Sequence, residues 1–231
     1  MKPNRIISIA FVVAAVIFLG YFAKRKFYDS YAKVRQADKE IAELVKKDDI
    51  KNGDIIFQSS ISAQCEAIRL ATHSEYTHCG IIFKNGNDIN VYEAVQPVKV
   101  TPLDKWIARG QEGHFVIKRL TDRDKILNES VVTNMISEAE LMKGKDYDIY
   151  FGWSDEKIYC SELIWKIYKR AANIEVGKLQ ILRDFDLTSK PVKKIMDERY
   201  GLNVPYEETV ISPASIFDCT LLTTVYSNKK K

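Results

Sequence analysis

The chain has 231 residues, 46% hydrophobic and 29% charged. This excludes a disordered chain and supplies apolar material for one core of ordinary size plus some extra; four cysteines are too few for a disulfide scaffold. The net charge of +4 is set by eight basic residues at the two termini, and of the 35 Lys and Arg the body keeps 27 against 31 acids, about −4, which excludes the basic footprint of a nucleic-acid binder.

Ile6 to Ala23 carries no charge over 18 residues. At about 1.5 Å per residue a helix of that length just crosses a bilayer core of about 30 Å. The run is longer than a signal-peptide core, Tyr21-Phe22-Ala23 is not a small-x-small cleavage site, and no cysteine follows for lipidation. Residues 1–26 are therefore expected to be an uncleaved single-pass anchor with basic flanks, and the body is expected to face the periplasm or the cell exterior, although the flanking charges nearly balance.

From Phe27 to Asp49, Ala32, Val34, Ala37, Ile41, Leu44 and Val45 recur at helical spacing and predict a helical connector over 27–49. Lys51-Asn52-Gly53-Asp54 is turn chemistry. Ile55-Ile56-Phe57 reads as a buried strand and Ser62 to Thr72 as a helix. Thr77 to Phe83 and Ile89 to Val95 read as strands around Asn85-Gly86, followed by a strand from His114 to Leu120. Asn128 to Met142 and Ser161 to Ala172 are helical. Ser212-Pro213 supplies an N-cap and a first-turn proline for a short helix to Asp218, and Leu221 to Tyr226 is a last strand. These elements predict one α+β domain over 50–226, with strands gathered centrally and helices around them, and a basic tail over 227–231.

His78, Glu93 and Cys160 carry the chemistry. If Asn85-Gly86 is a two-residue hairpin turn, His78 lies directly opposite Glu93, close enough for the carboxylate to hold the imidazole. A pairing sum larger by two, as a longer loop would give, leaves Glu93 diagonal but on the same face. Cys160 opens an apolar stripe of Leu163, Ile164, Ile167, Tyr168 and Ala171, so it points to the core side of a helix start. There the positive end of the helix dipole favours a thiolate. A cysteine beside a carboxylate-held histidine is the plan of an activated thiol nucleophile. On spacing alone the alternatives stay open: Cys160 as inert core, and His78–Glu93 as a structural pair. Cys79 follows His78 on its strand and so is expected to point to the other face and only pack. His73, His78 and Cys79 match no metal-ligand spacing. One disulfide among Cys65, Cys79 and Cys219 is allowed, while a catalytic Cys160 must stay free.

Five motifs stand in series: Gly53-Asp54-Ile55-Ile56-Phe57, Tyr76-Thr77-His78-Cys79-Gly80-Ile81, Val91-Tyr92-Glu93-Ala94, Gly144-Lys145-Asp146-Tyr147-Asp148 and Tyr159-Cys160-Ser161-Glu162-Leu163. The series resembles the YiiX/YebB-like branch of the NlpC-type cysteine hydrolases, which are papain-like, over residues 50 to about 226. The His strand precedes the Cys helix, as in the circularly permuted branch that also holds the lecithin retinol acyltransferase-like proteins. The resemblance implies a permuted papain-like fold with a central antiparallel sheet, Cys160 as nucleophile, His78 as base and Glu93 as the group orienting it. Cys79 departs from it, since a small aliphatic residue is usual there. Tyr147 is a candidate substrate-binding residue, with packing as its plainer role, and Gln64 is a weaker candidate oxyanion donor. The expected activity is hydrolysis of an amide in a peptide or cell-wall peptide through a thioester, without metal or organic cofactor. Lipid acyl hydrolysis or transfer, and a non-catalytic membrane-tethered binding domain, are the alternatives.

Overall fold

Helix α1 (Pro3–Lys46) runs without a break from the N-terminal apolar segment into the charged stretch that follows it. The computed structural model describes residues 3–47, 49–86 and 88–229. The side chains of most of residues 6–23 lie outside the described residues, and with them the expected membrane span. Among the described residues no helix is long and apolar enough to cross a membrane. The C-terminal part of α1 is no free connector: Ala37, Ile41 and Leu44 pack into the domain.

The body is ordered by its pattern of alternation. Strand β1 (Ile55–Gln58) is buried along its length, as expected of a central strand. Helix α2 (Ala63–Thr72) starts at the Ser62 N-cap, whose hydroxyl accepts from Cys65 N. The hairpin β2 (His78–Asn85) and β3 (Asp88–Glu93) follows. Strand β4 (Lys99–Pro102) and helix α3 (Leu103–Arg109), which the periodicity did not signal, come next. Then come β5 (Val116–Leu120), the single turn α4 (Arg123–Ile126) and α5 (Glu129–Met142), the last capped by Asn128. Helix α6 (Cys160–Ala172) precedes β6 (Gln180–Ile181), α7 (Lys190–Tyr200), β7 (Thr209–Val210), α8 (Pro213–Phe217) and β8 (Leu222–Ser227).

Six strands form one sheet in the order β4-β3-β2-β1-β5-β8, each neighbour antiparallel; β6 and β7 pair separately. The two faces carry different cores. Ile55, Phe57, Cys79 and Ile81 face α5 and α6. Ile56, Ile82 and Val91 face α1 and α3, around the fully buried Trp106. The fold is the expected α+β arrangement with a central antiparallel sheet. The Gly53-Asp54 motif is a joint of this frame: Gly53 takes a φ of +89° and Asp54 pairs with Arg119 at 2.7 Å.

The hairpin register differs from the favoured expectation by one step. Asn85 pairs with Asp88 and Ile81 with Tyr92, so Gly86, not Asn85, opens the turn with a φ of +59°. Glycine tolerates that left-handed position without the Cβ clash an asparagine carries. Glu93 is consequently diagonal to His78 on the shared face. Gly80 makes the diagonal reach possible: a Cβ there would stand 2.3 Å from Val91 Cγ1, 3.1 Å from the Tyr92 carbonyl and 3.6 Å from Glu93 Cβ. A Gly80→Ala variant is expected to lose about 1–3 kcal/mol of stability by overpacking. A thermal melt unmoved by it contradicts this account of the His-Cys-Gly motif.

Candidate active site

His78 opens β2 on the α3 side of the sheet, where its ring stacks on Trp106 with centroids 5.8 Å apart. Its Nε2 meets Glu93 Oε2 at 2.8 Å, which leaves Nδ1 for the other partner. That partner is Cys160, the first residue of α6, in a side-chain hydrogen bond with His78. The three residues expected to act together are brought together.

Glu93 is fully buried and held from three sides. Besides His78 it accepts from Thr101 Oγ1 at 2.6 Å and from Arg109 Nη2 at 2.6 and 2.7 Å. Burial pushes its carboxyl up. The hydrogen bond and charge of His78, the charge of Arg109 and the Thr101 hydroxyl outweigh this and lower it to about 2. Arg109 and Thr101 lie on α3 and β4, in a stretch without a periodic signal, so the sequence carried no mark of their role.

Burial disfavours charge on His78, but the Cys160 and Glu93 hydrogen bonds and charges raise it to about 10. The Cys160 thiol is lowered well below its ordinary range, first by a hydrogen bond from Cys79 and, against the opposing effect of burial, by the bond and charge of His78. Both shifts favour a thiolate–imidazolium pair over the neutral one. The N-terminus of α6 adds its partial positive charge, and its first-turn N–H groups have no intrahelical acceptor. Glu162, at the third position of α6, accepts from Tyr159 N at 3.2 Å and fixes this start.

Cys79 is buried in the core on the face opposite His78, as expected. That is also the face on which α6 packs. The nucleophile arrives from the Cys79 side, and His78 meets it at the beginning of the strand. All four cysteines are free thiols.

Tyr147 lies beside the nucleophile. Burial, then the charge of Cys160, hold its phenol well above the ordinary range, so it stays protonated. Its hydroxyl accepts from Gln64 Nε2 at 3.0 Å, and Gln64 Oε1 accepts from Arg199 Nη2 at 2.7 Å. Gln64 is thus tied to both Tyr147 and Arg199. The Gly144–Asp148 motif shapes this approach: Gly144 turns the chain with a φ of +85°, and the Asp148 carboxylate accepts from Tyr150 N and Gly152 N at 2.8 and 2.9 Å. Arg199 sits on α7, whose polar sequence did not predict a helix; its guanidinium also lies over the Phe151 ring.

An apolar cleft has Cys160 in its lining. Its walls are almost wholly apolar, with Ile68, Leu182, Phe185, Ile195 and Met196 from α2, α7 and the segment between α6 and α7. His73 takes no part: it caps α2 in a left-handed conformation and meets Asp186 at the surface. Among the described residues no group of three or more His, Cys, Asp or Glu is placed to hold a metal ion.

Residues 49–226 match the family of permuted papain-like amidase enzymes of the YaeF/YiiX type. YiiX of Escherichia coli strain K12, itself described as an uncharacterized protein, is 45% identical over 175 residues, which is 76% of this chain and 85% of that protein. The crystal structure of the metalloprotein yiiX from Escherichia coli O157:H7 superposes with a TM-score of 0.73 at 45% identity, covering 77% of this chain and 97% of that one.

Proposed function

Since the chain belongs to the permuted papain-like amidase enzymes of the YaeF/YiiX type, we propose that it is a thiol amidase which cleaves the amide bond of an apolar acyl group through Cys160, His78 and Glu93. The apolar cleft lined in part by Cys160 carries the reading. A peptide, above all a charged cell-wall peptide, needs polar partners along its backbone. This cleft contributes one cation, Arg199, already bonded to Gln64. An acyl chain needs only dry wall.

The chemistry follows from the geometry. The Cys160 thiolate adds to the acyl carbonyl and forms the carbon–sulfur bond. The oxyanion is received by the N–H groups at the start of α6 and by the protonated Tyr147 hydroxyl. His78, already an imidazolium, gives its proton to the leaving amine nitrogen as the carbon–nitrogen bond breaks. The neutral imidazole then takes a proton from water, which opens the thioester, releases the carboxylic acid and restores the pair. Glu93 keeps the ring oriented and its charge balanced throughout. The uncharged run of residues 6–23, continuous with α1, supports an anchor that holds the cleft near a bilayer.

The test is a series of acyl amides of rising chain length beside a cell-wall peptide amide. Each buried methylene contributes about 0.8 kcal/mol, so kcat/KM is expected to rise about fourfold per carbon until the cleft is full, and to vanish in Cys160→Ala. Turnover independent of chain length, or faster on the peptide, overturns the acyl reading.

A further inference from the structure

The thiol of Cys79 is fully buried in the core that also holds Cys160, on the sheet face against which α6 packs, at a position where the resemblance leads one to expect a small aliphatic side chain. Two features make it more than packing. Hydrogen bonding from its side chain and its backbone is among the causes that lower the Cys160 thiol. The ladder between β2 and β3 runs from Asn85↔Asp88 only to Ile81↔Tyr92, so Cys79 lies beyond the paired stretch. Two thiols in contact cannot both ionise without like charges meeting in a dry site. The geometry assigns the charge to Cys160, which also faces His78, and the proton to Cys79.

We propose that Cys79 is a positioning residue of this site: its S–H and N–H donate to the Cys160 sulfur, hold the thiolate toward His78, and make it a better leaving group when the thioester opens. The inference rests on Cys160 being the nucleophile. The burial of Cys79 and the anion beside it both push its own thiol up, so the proton stays on Cys79. Lowering the basicity of a thiol eases its departure and weakens its attack, since nucleophilicity falls as pKa falls. A second donor therefore shifts the balance toward release of the acyl product.

The experiment is alkylation of the full chain by iodoacetamide across pH, with the modified cysteine mapped, for wild type, Cys79→Val and Cys79→Ser. Valine keeps the volume and removes the donor; serine restores an O–H donor. In Cys79→Val the midpoint for Cys160 is expected to rise by about one pH unit, slowing alkylation about tenfold below it. Above both midpoints the same variant is expected to react faster than wild type. Cys79→Ser is expected to return the midpoint toward the wild-type value. A Cys79→Val profile that matches wild type overturns the proposal, as does a lowered melting temperature with an unmoved midpoint. If wild-type Cys160 itself titrates like a free thiol, the failure lies with the nucleophile and not with Cys79.

Discussion

A His78→Gln variant is expected to lose about 10²–10⁴-fold in turnover and to carry a Cys160 that alkylates only as the pH nears the free-thiol value of about 8.5. In the native site His78 stays protonated to about 10, and the Cys160 thiol is lowered well below its ordinary range. Between those limits the thiolate–imidazolium pair is the favoured form, so wild-type alkylation is expected to be flat through neutral pH and to fall only on the acid side. The His78 contribution to stability has the opposite sense. Its folded value is raised above the unfolded value of about 6.5, so that contribution is complete below 6.5 and is lost as pH rises through about 10. Glutamine preserves a polar side chain beside Glu93 but carries no charge, so the thiolate keeps only the Cys79 donors and the α6 dipole. Rates measured by mapping the modified cysteine across pH, with Cys160→Ala as the turnover blank, separate these contributions. A wild-type Cys160 that titrates like a free thiol removes the physical basis for the hydrolase.

All three central residues were legible from local rules. Strand alternation placed His78 and Glu93 on one face in either register considered, and a period near 3.6 placed Cys160 on the buried side of a helix start. The slip to Gly86 at the turn changed an opposed pair into a diagonal one without parting them, because a shift of two in the pairing sum preserves the face. What stayed hidden is tertiary. Nothing in the spacing says that α6 packs on the Cys79 face, and so Cys79 read as a packing residue with no link to the nucleophile. Arg109 and Arg199 sit on α3 and α7, one too short and the other too polar to show a clear apolar period. The packing of Ala37, Ile41 and Leu44 against the domain was equally invisible, since an amphipathic stripe shows that a helix has a partner but not which one.

Glu93→Gln is the substitution with the largest expected combined effect on stability and activity. Among the described residues Glu93 is the carboxylate that partners both His78 and Arg109, and it is fully buried. Removing its charge leaves the His78 imidazolium with only Cys160 to balance it, in surroundings that water does not reach. Arg109 is half-exposed and can turn to solvent; His78 cannot. Breaking one side of a buried pair costs about 3–5 kcal/mol, which for a domain of this size lowers the melting temperature by about 6–20 °C. Turnover is expected to fall about 10³-fold, because an imidazole that is no longer held charged neither stabilises the thiolate nor protonates the leaving amine. The pH dependence distinguishes this cause from a simple packing defect. Glu93 is lowered to about 2 in the folded chain, against burial, by His78, Arg109 and Thr101. Its contribution is therefore complete above the unfolded value of about 4.5 and disappears as pH falls through about 2. The gap in stability between wild type and Glu93→Gln is expected to be widest near neutrality and to close progressively below pH 4.5. Denaturant melts at several pH values measure that gap. A gap that stays constant down to about pH 2 identifies lost packing as the cause and contradicts a charged Glu93 as the group that holds His78 in its working form.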